Sequence, residues 1–288
     1  MSPDTLAIGL GLFSAFSLAS VNLFVKASGD ILVVRSVLST SCALVLLPFA
    51  FFVPLPTPEL WGAIAISVAM HMFYQSSLIR AMHRGDLSLV FPVMRGLAPL
   101  LVAIASFVVL KESLSAISWF GLFVSVCAVI SFGFLQGQKV GAARRISRSA
   151  LIWAGMTALG VMLYSVFDAR GIRQAENPMT FIVWIFLLDW IGVTTVALYE
   201  RRDGFIEAVK PVLRKGIVSG VLSVLSYGAA LYAFTLIEAA RVTALRETAV
   251  IFGAAMGWMF LKERLGPRRI IASVILALGL ALMELGAI

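Results

Sequence analysis

The chain has 288 residues, 60% of them hydrophobic and only 13% charged, and its mean hydropathy of +0.99 is far above that of a wettable soluble domain. Water is therefore not its main solvent, and ten apolar spans of roughly 20 residues each would leave short loops and no room for a separate soluble domain. The net charge of +8 points to basic loops between spans rather than to a nucleic-acid partner.

Apolar runs bounded by turn and charge signals predict spans near residues 5–25, 31–53, 59–80, 87–109, 115–135, 149–169, 179–199, 216–236, 240–260 and 267–286. The first run, from about Leu6 to Val25, has neither a basic leader nor a small-residue cleavage site and is read as a retained helix. Pro54, Pro56 and Pro58 close the second span, Gly137 to Gly141 lead into a basic linker, and Gly266-Pro267 open the last helix. Cys42 and Cys127 sit inside apolar runs without metal-type spacing, so they are expected to be packing residues.

Lysine and arginine are unevenly shared among the loops. The odd-numbered loops hold sixteen, including Lys139, Arg144, Arg145 and Arg148, whereas the even ones hold Lys111, Arg170, Arg173 and Arg241. The positive-inside rule then makes the odd loops cytoplasmic and places both termini outside a cell (inner) membrane. Arg35, Arg95 and Arg246 fall within spans.

An internal repeat joins the two halves. Leu110-Lys111-Glu112 matches Leu261-Lys262-Glu263 at an offset of 151, and Arg95 matches Arg246 at the same offset. With one residue of slippage, His71, Tyr74 and Gln75 of the third span match Ser223, Ser226 and Tyr227 of the eighth. Five spans per half turn the second copy upside down, as in transporters whose halves rock about a central site. The expected fold is an all-α integral membrane protein with ten transmembrane helices in two inverted repeats, 1–137 and 149–288, joined by a basic linker at 138–148.

Pro99-Leu100-Leu101-Val102-Ala103, Leu110-Lys111-Glu112-Ser113-Leu114, Gly121, and Leu261-Lys262-Glu263-Arg264-Leu265 in the second half resemble the EamA-like branch of the drug/metabolite transporter superfamily. Val250 stands where the family pattern often has proline, so any bend there must arise differently. The resemblance implies a central cavity lined by spans 1, 3, 4, 6, 8 and 9, and it makes export the commoner expectation.

Arg95 and Arg246 are the sharpest chemical signal. A charge deep in a span costs about 2.5–3.5 kcal/mol on insertion scales, and Arg95 lies roughly 12 Å along its helix. Two guanidinium groups on one cavity suit carboxylate, phosphate or phosphonate oxygens. The plainer alternative is permanent pairing with Glu247, Asp189 or Asp168, or snorkelling to the interface. Glu247 points about 100° away from Arg246 and either answers Arg95 or serves as a coupling carboxylate.

His71, Tyr74 and Gln75 share one helical face, and Ser223, Ser226 and Tyr227 repeat it, which fits either a wet cavity or interhelical packing bonds. Asn22 with Lys26, and Tyr164 with Asp168, are i, i+4 pairs near helix ends; Lys26 and Asp168 are expected at the interface, with Asp168 a second candidate for coupling. Trp119, Trp153 and Trp184 read as packing or interfacial aromatics, and Glu112 and Glu263 as structural loop residues. No metal site, cofactor, catalytic set or nucleotide-binding glycine loop is present in the sequence.

The expected function is secondary transport or facilitation of a small organic anion or zwitterion by alternating access. The expected partners are that small molecule and the lipid bilayer, with a homo-oligomer left open. A membrane-embedded enzyme or assembly factor for a lipid-linked substrate, and an exporter of hydrophobic cations, are the competing readings.

Overall fold

A computed structural model describes residues 2–26, 30–84, 87–137, 148–261 and 267–287. Among these the chain is helical apart from short connections: α1 (Pro3–Lys26), α2 (Ile31–Leu46), α3 (Pro58–Arg84), α4 (Leu87–Val109), α5 (Ala116–Gly137), α6 (Arg148–Gln174), α7 (Pro178–Arg201), α8 (Phe205–Val209), α9 (Leu213–Ala233), α10 (Ala239–Arg246), α11 (Ala249–Leu261) and α12 (Pro267–Leu285). Six of the described helices are long and apolar enough to cross a membrane: α1, α2 with the 3-10 turn that extends it to Phe51, α3, α6, α7 and α9. Most of the expected linker, with Lys139, Arg144 and Arg145, lies outside the described residues, as does the second motif beyond Leu261, with Lys262, Glu263 and Gly266.

Local sequence sets the helix ends. Asp30 caps α2 by accepting from the Val33 N–H at 3.2 Å, and Asn177 caps α7 from the Met179 N–H at 2.9 Å, with Pro178 at a position where its missing donor does no harm. Lys111 ends α4 by entering the left-handed region at φ 59°, an uncommon conformation for a side chain with a Cβ. The reversal brings the Glu112 N–H to the Ser106 carbonyl at 3.3 Å.

The chain forms two compact units, each built from both halves of the sequence. One comprises Met1–Met72 with Phe167–Leu236, the other Phe73–Val166 with Ile237–Ile288. In the first, α1 packs on α9, and α2 packs on α7 and α9. Hydroxyls bind these helices: Ser36 and Thr40 both reach Thr194 Oγ1, at 3.1 and 3.2 Å. At one end of this unit Arg201 meets Asp30 at 2.6 Å.

In the second unit, α5 packs on α12 and on α4, and α10 packs on α4. Gly121 on α5 and Gly279 on α12 let two backbones meet. A Cβ on Gly279 would sit 2.8 Å from the Ser125 nitrogen and 2.9 Å from the Gly121 carbonyl, and a Cβ on Gly121 would strike the Met283 backbone. The Ser118 hydroxyl adds a bond to the Met283 carbonyl at 2.8 Å across the same contact. This close approach is the structural reason for the small-residue character of the last helix.

The expected ninth span departs from a single helix. It is divided into α10 and α11 at Glu247 and Thr248, where the bonding tightens: Glu247 N–H donates to Ala244 O at 2.9 Å, and Val250 N–H donates to Glu247 O at 3.0 Å. The Thr248 hydroxyl returns to Leu245 O at 2.7 Å, an intrahelical bond of the kind that bends helices. By contrast α4, its repeat mate, continues through Pro99.

Candidate functional site

The break in the ninth span organises the first polar cluster, within the second unit. Val250 turns its N–H to Glu247 O, and the Arg246 carbonyl accepts instead from Arg95 Nη2 at 3.2 Å. The Glu247 carboxylate comes to the same guanidinium, with Oε2 3.2 Å from Arg95 Nε, off the axis of a good hydrogen bond. Arg95 is half-buried and Glu247 buried, with side chains 16% and 4% exposed, and Arg246 is buried beside them. Arg246 and Glu247 thus converge on Arg95 despite their 100° separation, because Arg246 uses its backbone and Glu247 its side chain.

This geometry favours the paired state for Arg95. An anionic ligand reaching it must displace Glu247 or bind while Glu247 is neutralised. A single carboxylate shared with an arginine in a buried site is an exchangeable contact, since the guanidinium fork accepts any oxyanion of similar shape.

The second cluster lies in the first unit. Asp168 on α6 is completely buried among its neighbours, where two groups from other helices meet it. His71 Nε2 on α3 lies 2.8 Å from Asp168 Oδ2, and the Tyr227 hydroxyl on α9 donates to the same oxygen. The His71 and Tyr227 rings meet edge to face with centroids 5.4 Å apart. Asp189 on α7 stands on the other side of the imidazole, its Oδ1 3.9 Å from Nδ1.

The remaining candidates separate. Tyr74 and Tyr164 form an edge-to-face pair at 5.1 Å in the second unit, and Gln75 is buried nearby in sequence. Ser226 donates to the Ser14 carbonyl on α1 at 2.7 Å; this is the packing bond that the plainer reading of the stripe expected. Ser223 is half-buried, Asn22 is exposed near the end of α1, and the Lys26 side chain lies outside the description. The described residues hold no group of three metal-type ligands.

Several further polar residues carry structure, a role already expected of Glu112. Glu112 accepts from the Ala239 N–H through both oxygens, at 3.0 and 3.2 Å, and so caps α10. Arg241 lies buried in α10 rather than in a loop, paired with Glu238 at 3.0 Å and with Glu284 on α12. Arg173 closes the last turn of α6 and donates to the Phe234 carbonyl at 2.7 Å. Arg80 and Arg84 both lie over the Trp153 ring, at 5.0 and 5.5 Å.

The model of the EamA-like transporter family matches residues 1–134 and again residues 148–285. The chain belongs to the EamA-like transporter family. As an EamA-like protein it is an integral membrane protein and a membrane transporter of the drug/metabolite type, built on two copies of the family unit. A protein of known crystal structure superposes with a TM-score of 0.73 at 17% identity, over 97% of this chain and 98% of that one, a likeness of fold alone. No curated protein sequence matches the chain.

Proposed function

We propose that this EamA-like protein is a secondary transporter or facilitator of a small organic anion or zwitterion, such as an amino acid, a phosphonate or a phosphorylated metabolite. It works by alternating access, with export the favoured direction. In this reading ten transmembrane helices in two inverted five-helix repeats cross the cell (inner) membrane, with both termini on the non-cytoplasmic side. The small molecule and the bilayer are its partners.

The observation that supports it is the cluster of half-buried Arg95 with buried Arg246 and Glu247 at the break between α10 and α11. Interrupted helices in transporters free backbone groups at the depth where substrates bind, and a buried arginine paired to one internal carboxylate is ready to exchange it for a carboxylate or phosphate of the substrate. Glu247 then holds the site closed when no substrate is present.

A thermal-unfolding screen of the purified protein tests the reading, because a ligand that binds only the folded state raises its stability. Amino acids, carboxylates, phosphonates, sugar phosphates and quaternary cations form the panel. Stabilisation by an anion or zwitterion, lost in Arg95→Ala, is the expected result. Stabilisation by cations alone, or by anions equally in the variant, would overturn it.

A further inference from the structure

The anion reading leaves the cluster around Asp168 unused, although a fully buried carboxylate in a membrane helix calls for a function. Both donors to Asp168, His71 Nε2 and the Tyr227 hydroxyl, share one oxygen, Oδ2. The other oxygen, Oδ1, is buried and has no hydrogen-bond partner among the described residues. Among the described residues, the titratable groups that face the cluster include His71 on α3, Asp168 on α6, Asp189 on α7 and Tyr227 on α9, with Cys42 on α2 beyond Asp189.

The acceptor chemistry of a carboxylate limits where protons can be. With Asp168 ionised its oxygens only accept, so His71 Nε2 carries a hydrogen and the phenol of Tyr227 is protonated. One further proton can enter at His71 Nδ1, which faces Asp189 Oδ1 at 3.9 Å. With a neutral imidazole, two negative charges flank one ring inside a membrane; with an imidazolium the net charge falls to one.

We propose that His71, Asp168 and Tyr227 form a proton-binding site of the transporter, and that the proton is the ion available to couple transport. His71 takes the proton; Asp168 and Tyr227 are positioning residues that fix its ring. Loading forms one N–H bond with a proton from water, unloading breaks the same bond, and no electrons move. The inference rests on the transporter reading but not on the anion site.

The chain has only two histidines, His71 and His83. The full-length His83→Gln protein, labelled with nitrogen-15 histidine and held in lipid nanodiscs, therefore gives one imidazole to follow by NMR. It is titrated across about pH 5 to 8, the window in which histidine ordinarily changes charge. The expected result is a single protonation step of His71, displaced in Asp168→Asn and, to a smaller extent, in the gentler Tyr227→Phe.

A ring that keeps one charge state throughout the window would overturn the proposal, as would a step that is the same in both variants and in the parent. Tyr227→Phe keeps the test valid even if Asp168→Asn fails to fold. The readout uses no anion. Failure of the ligand screen with a titrating His71 would remove the anion site alone, and the reverse pattern would remove the proton site alone.

Discussion

Arg95 Nη2 lies 3.2 Å from the main-chain carbonyl oxygen of Arg246, the residue that occupies its own place 151 positions later. The two arginines of the repeat therefore have different jobs. Arg95 reaches out with its side chain, while Arg246 offers its backbone at a break that the first repeat does not share.

Removing one member of the Arg95–Glu247 pair leaves the other charge without this partner at a largely dry site, which costs up to about 3–5 kcal/mol. We expect Arg95→Met and Glu247→Leu each to lower stability by that order and the double variant to recover most of it. Denaturant unfolding in detergent measures all three. Single variants as stable as the parent would show that the pair does not hold the fold.

Val250 is the second residue of α11, and its N–H already serves a tightened turn through Glu247 O at 3.0 Å. Val250→Pro should therefore lose about 1 kcal/mol, the worth of one hydrogen bond. Ala255→Pro, in the interior of the same helix, should lose about 3 kcal/mol or more. Comparing their melting temperatures tests whether the chain bends here without the ring.

The α5–α12 contact admits no side chain at Gly121. Gly121→Val should destabilise by about 1–3 kcal/mol through forced backbone movement, whereas Gly62→Ala, which meets open space, should change stability by about 1 kcal/mol at most. Unfolding curves of the two variants side by side give the answer.

Glu112 holds the first N–H of α10. Loss of such a cap costs about 0.5–2 kcal/mol, so Glu112→Ala should be destabilised by that amount and Glu112→Gln, which keeps an acceptor, by less. Hydrogen exchange at the amides of α10 should speed up in Glu112→Ala before any other segment responds.

Much of this was legible in the residues. Hydropathy marked the apolar runs because a membrane span must be long and apolar, and the offset between Arg95 and Arg246 exposed the repeat. The break at Glu247 and Thr248 was hidden because it depends on hydrogen-bond choices among backbone groups, and Val250 gave no proline to announce it. The partners of Asp168 were hidden too, since its place along one helix says nothing of groups arriving from α3 and α9. Arg241 was assigned to a loop for a related reason: its acid partners, Glu238 and Glu284, become visible only when α10 and α12 are side by side. Cys42 is buried as a packing residue, whereas Cys127 is exposed.

The two compact units also set an order of events during synthesis. The first unit opens with Met1 but takes its last helix from residues up to Leu236, and the second needs Ile237–Ile288 to complete it. As the chain emerges, α1 and α2 must wait in the bilayer for α7 and α9, and α4 and α5 must wait for α10 and α12. Truncation anywhere before the final helix leaves Gly121 facing lipid with no neighbouring backbone.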